Sequence, residues 1–443
     1  MKRGSLLLLC FAAATLGFLT ARSLSARDEK AAAAARVREE FELMKLFAEA
    51  YGQVDLQYVR DVDRRKLIDN AIRGMLTGLD PWSSWIPPAE LAKFEQYIDQ
   101  EFIGIGLQMT PNATRAEIQN VLPQSPAARA GVRSGDVIVE VDSKPVAGLS
   151  PPEINRLMTG PEGRPVSITL RRTGEDSPLK LEIIRERIQL PTVIPVVRNP
   201  DGSPLWLVDQ QQRIACVRIT HFSRSTIEDL SKTLETISAL NPKALLLDLR
   251  SNPGGLMDAA IDICDMFLES GRIVSMQGRA VKERAWDAAA GTAISPSVPL
   301  AVLVNRQSAS ASEVVAAALQ DNQRATIFGE RSFGKGTVQS VVRMERGQSA
   351  MKLTTAGYLR PSGINIHRYP EFKTEDVWGV SPATDQLLKL STEQFSDWQK
   401  AFTAAADPSG TATNLTTLLT ADPQLQQALN WATAKATAAT DNP

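Results

Sequence analysis

The segment KALLLDLRSNPGGLMDAA, Lys243 to Ala260, constrains the fold more than any other. It is almost wholly apolar as far as Asp248, then passes through Asn-Pro-Gly-Gly into a helix-like run. A strand with one wet face alternates apolar and polar residues. A strand without that alternation is buried on both faces, as in a parallel sheet covered by helices. RIACVRI, Arg213 to Ile219, and LAVLVN, Leu300 to Asn305, read the same way, and helical segments separate them. Residues 187–385 therefore read as an α/β domain.

The periodicity differs elsewhere. Residues 27–100 read as helical: Phe41, Met44, Phe47 and Tyr51, then Leu67, Ala71 and Met75, recur at three- and four-residue steps. LDPWSSWIPP interrupts this, and Pro87-Pro88 opens a further helix with Leu91, Phe94 and Ile98 on one face. No reactive constellation appears there, so the region reads as packing or oligomerisation structure. Residues 101–186 carry short alternating runs, DVIVEVD and VSITLRR, and read as a small β-rich domain with one helix in SPPEINRLM. Residues 386–443 drift to Ala and Thr and close on an amphipathic helix, a tail to which no chemistry is assigned.

A chain of 443 residues is long enough for several cores, and its net charge of −1 argues against nucleic-acid partners. Residues 1–26, MKRGSLLLLCFAAATLGFLTARSLSA, read either as a secretory signal or as an uncleaved membrane anchor. The expectation is an exported protein, periplasmic or held at the outer side of the membrane. With Cys10 in that segment, Cys216 and Cys264 read as buried small hydrophobes, a disulfide being the minority reading. His221 and His367 lack neighbours at ligand spacing, so neither metal nor cofactor is expected.

Chemistry concentrates in three loops. GERSFGKGTVQS, Gly329 to Ser340, has the glycines and lysine of a phosphate loop, but Gly336 stands where a hydroxyl is needed and a β-branched run follows instead of a helix. Lys335 reads better as a base, covered by Phe333 and Val338. For that, its pKa must fall by about three units, roughly 4 kcal/mol of differential desolvation. Strand alternation would put Gln339 on the same face. NRQSASASEVVAAALQD, Asn305 to Asp321, crowds Ser308, Ser310 and Ser312 onto one strand-to-helix junction. Ser310 with Glu313 is a capping box, and the same place suits a nucleophile at a helix N-terminus. DLRSNPGGLMDAA offers the N–H groups of Gly254 and Gly255, with that of Ala311, as an oxyanion site, or else a plain tight turn.

FIGIGL, Phe102 to Leu107, together with SPAARAGVRSGDVIVEVD, Ser125 to Asp142, resembles a PDZ domain. The resemblance implies that Ile103, Gly104, Ile105 and Gly106 grip a peptide's terminal carboxylate. In order along the chain, AIRGMLTGLDPWSSWI, FIGIGL, SPAARAGVRSGD, DLRSNPGGL, SASASE, GERSFGKGTVQ and LTTAGYLRPSG resemble the carboxyl-terminal processing proteases, from about Phe41 to about Asp385. That resemblance implies a multidomain protein whose catalytic core is of the crotonase and Clp-protease kind. Its roles would be Ser310 as nucleophile, Lys335 as base, Gln339 as orienting partner, and Gly254 or Gly255 with Ala311 as oxyanion hole. Substrates would be proteins or peptides with free C-termini. Membrane anchoring and homo-oligomerisation stay open, and a PDZ adaptor without activity is the competing class. Two departures from the family pattern stand out: INIHRYPEFKTEDVWGVSPATD, Ile364 to Asp385, and Thr159-Gly160 where many members have Arg-Gly.

Overall fold

The computed structural model describes residues 34–109, 115–122, 124–289, 291–405 and 415–438. The signal or anchor reading of residues 1–26 lies outside them. The chain divides after Leu79 into two units.

The first unit contains a helix over 34–57 and a second, Arg64–Thr77, N-capped by Asp63, whose side chain accepts the Lys66 N–H. The apolar stripe foreseen on the first helix is largely uncovered: Phe41 is 67% exposed and Met44 64%.

In the second unit, the strands Ile214–Ile219, Ala244–Asp248, Leu300–Val304 and Ala325–Gly329 pair in parallel in that order. The first three are buried at every position, as their unbroken apolar sequence requires. Helices Arg224–Ala239, Met257–Asp265 and Ala311–Asp321 cover one face through Leu230, Leu234, Ile263, Val314 and Val315. The other face is covered by helix Pro423–Ala438, through Leu425, Ala428, Leu429 and Ala432. The segment expected to be a mere tail is thus one wall of the core. Cys216 and Cys264 lie in the cores on opposite faces, and both are free and buried.

A second, antiparallel sheet joins Ser84–Ile86, Thr337–Met344, Ser349–Leu359, Arg272–Gln277 and Arg284–Asp287. Its first strand comes from the WSSW segment, which was expected only to interrupt a helical region. In chain order, the β-rich domain comes between helix Pro88–Asp99 and the α/β core. Its four-stranded sheet packs with helix Pro151–Met158 around Ile118, Ile138, Ile168 and Leu170. Strand Glu101–Gly104 pairs with Glu186–Gln189, which closes the domain at its base.

Candidate active site

A cavity of about 570 Å³ opens at the C-terminal ends of the parallel strands, where their following loops converge. Ser310, Lys335, Gln339 and Gly255 all line it.

Ser310 is the N-cap of helix Ala311–Asp321, with φ 57° and ψ −117°, a left-handed conformation that strains any residue but glycine. The capping-box pair is in place, yet the Ser310 side chain makes no capping hydrogen bond. Instead the Ser310 N–H donates to Glu313 Oε2 at 2.8 Å. The neighbouring serines are committed: Ser308 Oγ donates to Leu249 C=O at 2.8 Å and Ser312 Oγ to Asn252 C=O at 2.9 Å. Of the three, only Ser310 lines the cavity.

The NPGG loop lies against this junction. A Cβ on Gly254, at φ +100°, would sit 2.8 Å from Ser310 Cβ and 3.0 Å from Ala311 N; one on Gly255, at φ +145°, would sit 2.1 Å from Phe222 O. Glycine is therefore required at both positions. Their N–H groups differ. That of Gly254 donates to Asn252 Oδ1 at 2.9 Å. Among the described residues, those of Gly255 and Ala311 have no protein acceptor. Gly255, not Gly254, faces the cavity.

Lys335 is half-buried, and its Nζ stands 4.8 Å from the centre of the Trp82 ring. Burial pulls its pKa down to about 8; the like charge of Lys352 adds to the effect, while Glu313 and Asp80 oppose it. No hydrogen bond joins Lys335 to Ser310 among the described residues.

Gln339 shares the cavity with Lys335, but not by simple strand alternation. Lys335 precedes the strand Thr337–Met344, and a bulge falls between Val338 and Gln339. The amide donates to Thr337 Oγ1 at 2.9 Å and Thr354 Oγ1 at 3.2 Å. Thr354 in turn meets Ser83, whose hydroxyl donates to Asp80 Oδ2 at 2.9 Å.

His221 also lines the cavity, edge-on to Tyr97 with ring centres 5.7 Å apart. Burial pulls its pKa down to about 4. No carboxylate accepts a hydrogen bond from it among the described residues, so nothing there orients it as a base. His367 does not line the cavity.

Sequence reasoning missed two contributions. Glu313, read only as a cap, is fully buried and accepts four hydrogen bonds, from Ser310 N–H, Ser332 Oγ, Gly334 N–H and Lys335 N–H, at 2.5–2.8 Å. Phe94, Tyr97 and Ile98, on helix Pro88–Asp99, line the cavity with Trp82, although their region was assigned no part in chemistry. The heptad-like spacing of that helix revealed its apolar face, not what the face looks onto.

In the β-rich domain, Gly104, Ile105 and Gly106 are buried. The carbonyl of Ile105 accepts Ala127 N–H and that of Gly106 accepts Leu122 N–H, both at 2.9 Å. Their own N–H groups donate to no protein group among the described residues. Ile103 lies in the paired strand beside them, opposite Arg187.

A model of peptidase family S41 matches residues 213–382, a PDZ model 117–172, and the activating protease CtpB N-terminal domain 10–87. The carboxy-terminal-processing protease of Bartonella bacilliformis is 39% identical over 326 residues, covering 72% of this chain and 71% of the relative. Carboxy-terminal processing protease CtpA of Bacillus subtilis is 33% identical over 331 residues, covering 74% and 68%. A solved photosystem II D1 C-terminal processing protease is 29% identical, with TM-score 0.44, covering 82% of this chain and 97% of its own. By the family-model matches and the sequence identity to the Bartonella and Bacillus proteins, the chain belongs to the carboxy-terminal processing proteases, serine peptidases of family S41.

Proposed function

We propose that the protein is an exported endopeptidase that captures the free C-terminus of a protein through its PDZ domain and cleaves the tail with a Ser310–Lys335 dyad. One observation carries the reading. Ser310 is the only serine of its cluster facing the cavity, and it shares that cavity with a half-buried lysine and the free N–H of Gly255.

Neutral Lys335 takes the Ser310 hydroxyl proton as Oγ attacks the scissile carbonyl. The oxyanion that forms is held by the N–H groups of Gly255 and Ala311. Lysinium then protonates the departing amine, and water releases the acyl group by the reverse proton route. Gln339 fixes the threonine network beside the lysine. In the PDZ domain, the N–H groups of Ile105 and Gly106, flanked by Ile103 and Gly104, receive the terminal carboxylate. No metal or cofactor enters the scheme. The N-terminal segment delivers the chain across the membrane or keeps it there, and the exposed face of helix 34–57 pairs with a second copy.

Ser310→Ala should abolish cleavage of a tail peptide, read by mass spectrometry, while leaving peptide binding intact. Wild-type protein that binds the peptide without ever cutting it would instead be an adaptor.

A further inference from the structure

The segment from Ile364 to Val380, part of the stretch that departs from the family pattern, forms the backing of the Lys335 loop. Arg368 N–H donates to Gly334 C=O at 2.8 Å, Ser332 N–H to Val380 C=O at 2.9 Å, and Val380 N–H to Ser332 Oγ at 2.8 Å. Gly379 N–H closes the segment on itself through Ile366 C=O at 2.9 Å.

At its centre the Trp378 ring is contacted by two guanidinium groups, Arg331 at 4.6 Å and Arg368 at 4.8 Å from the ring centre. Arg331 also reaches the segment through the carbonyls of Thr374 and Asp376 at 3.0 and 3.1 Å, and Ser381 Oγ just past its end at 2.8 Å. The contact with the loop is tight enough to dictate its sequence. A Cβ on Gly334 would lie 2.7 Å from Trp378 Cε3 and 2.8 Å from Arg368 Cβ, and one on Gly336 would lie 2.2 Å from His367 N. Both glycines that flank Lys335 are thus demanded by this segment. Among the described residues the buried indole N–H of Trp378 has no partner, and the contacts of the residue are made by its ring.

We propose that Trp378, clasped by Arg331 and Arg368, is a positioning residue for Lys335: it pins the backbone on either side of the lysine and so keeps the amine inside the cavity. The inference rests on the reading of Lys335 as the base. The charged groups that face Lys335 are Lys352, Glu313 and Asp80, and none belongs to this segment. Loosening the segment therefore changes the hydration of the amine without changing its charged neighbours.

The test uses the full chain and a tail peptide, with kcat and KM measured from about pH 6 to 10 for Trp378→Leu, Trp378→Phe and Arg368→Met. Trp378→Leu should lower kcat by about tenfold or more with KM nearly unchanged. Its rising limb should move up by about half a pH unit or more, because a wetter lysine holds its proton longer. Trp378→Phe, which keeps a ring, should stay near wild type. Unaltered kcat and limb in Trp378→Leu would overturn the proposal, as would a loss with an unmoved limb or one that phenylalanine fails to restore. Should the leucine variant not fold, Arg368→Met, at an exposed position, decides: a shifted limb supports the clasp and an unshifted one refutes it. Lys335→Ala in the same assay separates the two readings, since substantial activity there sinks the dyad itself.

Discussion

Glu313 ties the two halves of the candidate dyad together. Burial pushes its pKa up to about 7, although hydrogen bonds from Ser332, Gly334, Ser310 and Lys335 pull the other way. A carboxyl whose folded pKa exceeds its unfolded value, about 4.3, contributes stability that is complete below about pH 4.3 and is lost as pH rises through about 7. Glu313→Gln should flatten that part of the stability profile in urea melts. It also turns an amide NH₂ toward backbone donors, so kcat should fall by about tenfold or more and stability by about 1–3 kcal/mol. Ser312→Ala, in contrast, removes only a tie to Asn252 and should leave kcat within about tenfold of wild type. Position before a helix leaves three serines as candidate nucleophiles, and only the family resemblance singles out Ser310. The physical difference among them was not legible, because the Ser308 and Ser312 hydroxyls are committed to Leu249 and Asn252, contacts 59 and 60 residues away along the chain.

Two elements of the same form, strand then loop then helix, bring the NPGG and SASAS loops together, and the sequence exposed both because their strands are apolar throughout. What it left open was the choice between Gly254 and Gly255, which depends on Asn252 occupying one of the two N–H groups. Gly255→Ala should depress kcat by about 10²–10³, since its Cβ would strike Phe222 O and swing the free N–H from the cavity. Stopped-flow acylation of the variant would measure this, and a near-normal rate would place the oxyanion elsewhere. Gln339 shares the cavity with Lys335, but alternation alone does not explain it, because Lys335 precedes the strand and a bulge falls between Val338 and Gln339, which no residue type announces.

At the scale of the molecule, the C-terminal helices are held by a charge cluster buried next to the candidate oxyanion loop. Arg250, fully buried, donates to both Asp248 and Asp422, and Trp398 Nε1 donates to Asp422 at 3.1 Å. The Arg218 guanidinium also meets Asp248 and stacks on Phe402, 3.3 Å from its ring centre. Asp422 further caps helix Pro423–Ala438 through Leu425 N–H at 2.9 Å. Asp422→Ala leaves Arg250 partly unpaired without water, and should lower unfolding stability by about 3–5 kcal/mol in urea titrations. The sequence showed this helix as amphipathic but not what it covers: Ala428, Ala432 and Ala436 are the small residues that let it lie close on the sheet. Because Arg250 begins the turn into Ser251–Gly255, the same cluster also sets the base of the candidate oxyanion loop.

The most direct test of the account is the pH dependence of kcat/KM for wild type and Lys335→Ala on a tail peptide. The account predicts one rising limb near pH 8, the value to which burial lowers Lys335, and loss of that activity in the variant. Activity that survives Lys335→Ala with a rising limb well below pH 8, toward the value near 4 to which burial lowers His221, would contradict it.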